Sequence, residues 1–273
     1  MRFHFGRTAA AVSTIMMVMS AHAAMTPVWS QGFEVDTNGW VNNNYGTVSR
    51  VASGTGGITS SEGSFHALFN TGADPNPVTG PFTRFDGYRS TFPGTWVASV
   101  DVYLDTGWVA GSGFDYSVAS NGSDGNHQRD FIFHVAKDTS TGKLLVGASN
   151  NSNFAPREDL ENLNNREVTT SGWYTLQQVF RDVGGVLEVD LNLLDAASDT
   201  LLFTETRTSP LDTIPAEVGG NRYGWFTHIT GIERGIAVDD SSLSINGVPE
   251  PGSLALVGLA IGGLALVRRR RVG

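Results

Sequence analysis

The sequence has no cysteine, which removes disulfides, thiol nucleophiles and thiolate metal ligands together. Charge is scarce at 16%, and basic charge scarcest, with 18 Lys and Arg against 27 Asp and Glu. Six of the basic residues (Arg2, Arg7 and Arg268 to Arg271) and one acid, Glu250, lie in the terminal segments. Residues 24–247 therefore hold 12 basic and 26 acidic residues, a net of -14. Such a surface repels nucleic acid and anionic lipid, and it suits neutral polymers and divalent cations. Catalytic signatures are missing as well: there is no G-x-S-x-G elbow, no H-E-x-x-H, and no phosphate-binding glycine loop before a helix. Helical periodicity is nearly absent from the middle. Only Pro156 to Asn164 reads as a short helix, with Leu160 and Leu163 on one side.

What is present is the material of strands and turns. Gly numbers 33 and aromatics make up 10%, a pattern of packed β structure with many turns rather than of disorder. In Trp96 to Asp105 the residues Trp96, Ala98, Val100, Val102 and Leu104 fall on one face. In Val186 to Leu193 the residues Leu187, Val189, Leu191 and Leu193 alternate with Glu188, Asp190 and Asn192. A period of two marks half-buried antiparallel strands. Further strands are expected at 46–52, 65–69, 114–119, 130–135, 144–149, 173–181, 201–206, 223–227 and 235–245. Ser140-Thr141-Gly142-Lys143 and Asp182-Val183-Gly184-Gly185 read as hairpin turns between them. The fold class expected is all-β, an antiparallel two-sheet sandwich in a single domain.

Both ends read as addresses. Basic residues in Met1 to Arg7, an apolar stretch from Ala9 to Met19, and Ala21-His22-Ala23 follow the order of a secretory signal peptide. Cleavage is expected between Ala23 and Ala24. At the other end Val248-Pro249-Glu250-Pro251 precedes the uncharged run Ser253 to Val267 and then Arg268, Arg269, Arg270 and Arg271. Fifteen helical residues span about 22 Å, short of the roughly 30 Å hydrocarbon core, so the run reads as a short transmembrane helix with its arginines kept cytoplasmic. The division is then 1–23 signal peptide, 24–247 β-sandwich, 248–273 tail.

The order Pro-Glu-Pro, apolar helix, arginine cluster resembles the PEP-CTERM sorting signal of Gram-negative bacteria that make exopolysaccharide. The resemblance implies that Pro249, Glu250 and Pro251 are recognised by a membrane processing enzyme of the exosortase type. The protein would be held transiently in the inner membrane, then delivered to the cell surface or extracellular matrix.

Two further segments open and close the middle: Gly32-Phe33-Glu34-Val35-Asp36 with Gly39-Trp40, and Ile236 to Ile245 with Asp239 inside it. They resemble the first and last strands of jelly-roll carbohydrate-binding modules and concanavalin-like sandwiches. The resemblance implies a jelly-roll topology and a structural calcium ion held by Glu34 and Asp239. Exposed rings that stack on sugars are sought at strand ends or beside Gly and Asn, which selects Trp40, Tyr45, Trp108 and Trp225; Trp96 and Trp173 head strands and read as core.

Glu188 and Asp190 share a face as paired glycosidase acids do, but a laminarinase-like motif needs a further acid where Leu193 stands, so they read as a wet strand face. His134, between Phe133 and Val135, reads as a strand-surface histidine. The reading is of an exported, non-enzymatic surface or matrix protein that works among extracellular polysaccharides. A carbohydrate-active enzyme and a purely structural biofilm component stand beside it, because one sandwich hosts all three.

Overall fold

The computed structural model describes residues 25–42, 44–72, 80–87, 90–91, 95–122, 124–150, 154–213, 217–218 and 224–246. Strands are numbered in chain order. One antiparallel sheet contains β1 (Met25–Gln31), β3 (Gly46–Ala52), β4 (Phe65–Thr71), β7 (Thr95–Leu104), β12 (Gly172–Val183), β13 (Val186–Asp195), β14 (Thr200–Thr213) and β17 (Ile236–Asn246). The other contains β2 (Trp40–Val41), β5 (Phe82–Thr83), β8 (Gly113–Asn121), β9 (His127–Lys137), β10 (Leu144–Asn150), β11 (Asn165–Val168) and β16 (Gly224–Thr230). A small ladder pairs β6 (Ser90–Thr91) with β15 (Glu217–Val218). The order β14-β13-β12-β7-β17-β4-β3 faces β11-β10-β9-β8-β16-β5-β2, a jelly-roll sandwich. β1 pairs with β17, so the first strand lies against the last.

The alternating residues make the core. Trp96, Val100, Val102 and Leu104 from β7, and Leu187, Val189, Leu191 and Leu193 from β13, have no exposed surface. They meet Phe114, Phe131, Phe133, Val135 and Phe226 of the other sheet in one cluster. Phe226 is its aromatic hub, with ring centroids 4.6 Å from Tyr116, 5.2 Å from Phe69 and 5.6 Å from Phe114. Phe131 crosses the sandwich to meet Phe180 edge-on at 5.4 Å. With no disulfide to help, this burial is what holds the fold, at roughly 25 cal/mol per Å² of apolar surface removed from water.

Turn chemistry follows the sequence where it is strongest. Val183 pairs with Val186 across Gly184 (φ 66°) and Gly185 (φ 88°), a two-residue hairpin that needs left-handed backbone at both positions. The expected helix at Pro156 to Asn164 is instead a 3-10 segment, Ala155–Asn162, broken at Asp159 (φ -140°). Leu160 is buried, but Leu163 lies past the break in extended backbone and is exposed. The first strand expected at Gly32 to Asp36 is not a strand; those residues are loop and bend, and the first strand is β1, seven residues earlier. Its Pro27 breaks the apolar alternation, and a register shift between Pro27 and Trp29 accommodates it at the sheet edge.

Candidate functional site

At one end of the sandwich three loops meet: the one after β7, the one between β16 and β17, and the turn Thr55–Gly57. They enclose a cleft of about 390 Å³ lined by Tyr103, Asp105, Trp108, Ile232, Glu233 and Arg234, within the usual size range of small-ligand sites. The loop geometry is built from short polar contacts. Asp105 Oδ1 accepts from the Gly107 N–H (2.8 Å) and the Ser171 hydroxyl (3.0 Å), and Trp108 N–H closes a turn on the Asp105 carbonyl (3.1 Å). Lys137 Nζ caps the Thr106 carbonyl at 2.6 Å. The turn places Trp108 half-buried, packed against the core and edge-on to Phe114 (6.3 Å, 78°), while it still borders the cleft. Gly231 (φ 65°) keeps the opposite wall close: a Cβ there would stand 2.5 Å from Ser112 Oγ. The wall chemistry is two aromatic rings, two carboxylates and a guanidinium, the last tied by Nη1 to the Gly56 carbonyl at 3.2 Å.

Of the four rings selected from sequence, Trp108 alone lines this cleft. Trp40 is a core residue, 5% exposed, with centroids 4.6 Å from Phe69 and 5.9 Å from Phe226, and its Nε1 donates to Ser241 Oγ (3.0 Å). Position beside Gly and Asn did not predict exposure there, because Trp40 pairs with buried Thr83 of β5 and turns its ring inward onto Phe69 and Phe226. Tyr45 is 46% exposed in the turn before β3. Trp225 is half-buried on the outer face of the seven-stranded sheet, its Nε1 donating to the Gly80 carbonyl at 3.3 Å. Trp96 is in the core as expected, whereas Trp173 lies on the outer face of the eight-stranded sheet and donates through Nε1 to the Thr59 carbonyl (2.7 Å).

Glu34 and Asp239 act on one loop. Glu34, just past β1, accepts from the Ser64 and Phe65 N–H groups (both 2.9 Å) through Oε1. Asp239, fully buried in β17, accepts from Ser61 N–H (3.0 Å) and Glu62 N–H (3.2 Å) through Oδ2, and from Asp240 N–H (2.9 Å) through Oδ1. Burial pushes Asp239 up to about 7 against those three bonds, and its ladder partner Asp101 adds to the rise. Asp101 is itself raised by burial, against hydroxyl bonds from Ser61 (2.6 Å) and Thr175 (2.6 Å). A calcium ion needs six to eight converging oxygens. Among the described residues no three Asp, Glu or His side chains converge to hold a metal, and the oxygens of Asp239 face amide donors. As arranged, the donor set does not fit a calcium ion.

Glu188 and Asp190 form no acid–base pair. Arg181 bridges both, reaching Glu188 Oε1 at 2.6 Å and Asp190 Oδ2. Burial works to raise Asp190, but the Arg181 and Thr206 bonds hold it below the usual range. Leu193 is in the core.

His134 is not on the surface. It is fully buried on the outer face of the seven-stranded sheet, with Nδ1 2.9 Å from Asp115 Oδ1 and Nε2 2.7 Å from Ser149 Oγ. The sequence carried a signal for this. Ile132, Ala136 and Leu145 are apolar in the outward phase of β9 and β10, so that face is covered.

Residues 23–24 and 249–271, which hold the expected signal cleavage, the Pro-Glu-Pro element, the tail helix and Arg268 to Arg271, lie outside the described residues. Residues 247–271 match the PEP-CTERM protein-sorting motif, so the chain is an exported protein sorted through its C-terminal tail. No curated protein matches the chain. Among solved structures it is similar to arcelin-5, a lectin-like defence protein from Phaseolus vulgaris (10% identity, 79% of this chain and 96% of that one, TM-score 0.41). It is also similar to a Lotus tetragonolobus seed lectin (14%, 81% and 99%, TM-score 0.36) and to an arabinofuranosidase (12%, 68% and 38%, TM-score 0.35).

Proposed function

We propose that this exported, tail-sorted protein works at the cell surface or in the extracellular matrix, where its sandwich binds polysaccharide through the Trp108 cleft. The observation that carries the reading is the cleft itself. Trp108 and Tyr103 line it with aromatic surface suited to the CH-rich side of a sugar, while Asp105 and Glu233 can accept from its hydroxyls. The acidic surface favours a neutral polymer over an anionic one. The tail supports the place: after signal cleavage between Ala23 and Ala24, an exosortase-type enzyme would act near Pro249, Glu250 and Pro251 and remove the helix with Arg268 to Arg271.

Native-gel retardation of the mature protein in neutral extracellular polysaccharide from its host tests the reading. Wild type is slowed, and Trp108→Ala loses most of the retardation at unchanged mobility in plain gel. No retardation of wild type would leave a purely structural matrix component. Intact mass of the mature protein tests the tail: it lacks the arginine cluster, and Glu250→Ala leaves a larger, membrane-retained form. A wild-type mass that keeps the cluster would make the tail a permanent anchor.

A further inference from the structure

We propose that Ser149, His134 and Asp115 form a serine-nucleophile site that hydrolyses short acyl esters. The three side chains come from adjacent strands of the seven-stranded sheet. Asp115 of β8 pairs directly with His134 of β9, and His134 pairs with Gly147 of β10, two residues before Ser149 on the same face. Asp115 Oδ1 and His134 Nδ1 are 2.9 Å apart, and His134 Nε2 and Ser149 Oγ are 2.7 Å apart. A carboxylate only accepts, so the ring proton sits on Nδ1, and Nε2 is left to take the hydroxyl proton of Ser149. This order of contacts, nucleophile to base to orienting acid, defines such a site by geometry rather than by chain position. Three rigid strands hold it, not loops.

The surroundings fix the acid in place. Asp115 Oδ2 accepts from the Phe154 N–H at 2.7 Å and stands 3.5 Å from His228 Nδ1. Arg157, buried beside it, donates to the His228 carbonyl (2.7 Å) and to Thr230 Oγ1 (2.9 Å), and its charge lies close enough to interact with Asp115. Phe154 (φ 61°) and His228 (φ 50°) are both non-glycine residues in left-handed backbone, and their rings stack at 5.4 Å over this acid. Strain of about 1–3 kcal/mol at each such residue persists only where the surroundings over-determine it, and active sites are where it collects. The register shift in β16 between Thr227 and Thr230 delivers His228 there.

Asp115 and His134 have no exposed surface and Ser149 keeps 9% of its own, so the nucleophile is the least covered of the three. The neighbouring Gly147 sits under Leu160, whose Cδ1 would be 2.5 Å from a Cβ there. On so covered a face, the least bulky acyl group, such as acetyl, is the one a substrate can bring to Ser149. In the reaction Ser149 Oγ bonds to the acyl carbon and its proton passes to His134 Nε2. That proton then leaves with the alcohol as the ester C–O bond breaks. Water, deprotonated by His134, splits the acyl-serine to the acid and restores the hydroxyl.

The test uses the mature protein with p-nitrophenyl acetate and a fluorophosphonate probe. Hydrolysis above buffer is expected, together with one phosphonyl adduct located by peptide mass on Ser149. Ser149→Ala abolishes both, and His134→Gln lowers hydrolysis at least ~100-fold, the contribution of a positioned general base. Asp115 acts through His134 and is a positioning residue: the downfield Nδ1 proton of His134 in proton NMR is present in wild type and lost in Asp115→Asn. Absence of an adduct on wild-type Ser149 overturns the proposal, and that readout needs no variant to fold. A wild-type rate equal to that of a folded Ser149→Ala overturns it too. The outcome is independent of the Trp108 cleft, which lies elsewhere and is read by polysaccharide retardation.

Discussion

The two sheets differ in what covers their outer faces. Along β13 the outer positions Glu188, Asp190 and Asn192 are half-buried and partnered by Arg181, Thr206 and Gln177. Along β8 all nine residues are buried, so Asp115 and Ser117 are as far from water as Phe114 and Tyr116. The same alternation of polar and apolar residues thus has two meanings. Where a face is wet, a carboxylate costs little and contributes little. Where a face is covered, each polar group must find a partner, and the partners arrange one another into a fixed network.

Substitution of one acid on each face gives the largest contrast. Asp115→Ala leaves the His134 ring N–H and the Phe154 N–H buried without their acceptor, and it removes the charge beside Arg157. A loss of about 3 kcal/mol or more is expected, as for a buried pair broken on one side. Asp190→Ala breaks ion pairs that solvent screens, since Arg181 is 34% exposed, and costs less than about 1 kcal/mol. Urea unfolding of both variants measures the difference. Equal losses would show that the two faces are equivalent and that burial of β8 does not set the energetics.

This contrast also explains what was legible in the sequence. β7 and β13 read well because they follow period two with a largely half-wet outer phase, and the two-sheet fold follows from them. The family resemblance pointed to a first strand beside the last but placed it at Gly32 to Asp36, whereas the strand that pairs with β17 is β1, which Pro27 hides. Trp108 was legible as a ring beside glycine, but Trp40 shares that local signature and is core. Local neighbours do not report whether a short strand tucks its ring inward. The Asp115–His134–Ser149 network was invisible for another reason. Its members are separated by 15 to 34 residues, and the strand register that joins them depends on two hairpins.

A pH series probes covered acid on the eight-stranded sheet. Folded Asp239 keeps its proton up to about 7, while the unfolded chain releases it near 3.8. Between these values folding takes up a proton, so stability falls as pH rises and levels off above about 7. The slope from this group is about 1.4 kcal/mol per pH unit. Asp239→Asn cannot titrate, so its stability relative to wild type should improve from pH 4 to pH 8. Parallel wild-type and variant curves would show that Asp239 ionises normally in the fold. Asp138 runs the other way: burial opposes it, but Thr141 and Ser140 bonds hold it at about 2. Its contribution, present above 3.8, is lost only as pH falls through about 2.

Calcium gives the smallest expected effect, and the sharpest test of how the two chain ends are joined. Glu34 and Asp239 hold residues 61–65 from two sides by four carboxylate–amide contacts, and Gly63 (φ 58°) admits the Glu34 carboxylate where a Cβ would stand 2.4 Å from Oε1. Amide donors therefore occupy the place that a cation would take in clasping this loop, and protonation of Asp239 below about 7 eases its repulsion with Asp101. A ligand that binds only the folded state at a hundredfold excess over Kd adds about 2.7 kcal/mol, several degrees of melting point for a domain of this size. The wild-type midpoint is expected to be the same in excess calcium and in chelator, while Gly63→Ala lowers it in both by displacing the Glu34 clasp. A calcium-dependent rise of several degrees that Glu34→Gln and Asp239→Asn each remove would mean that the loop opens to expose those oxygens, and that the ends are joined by metal after all.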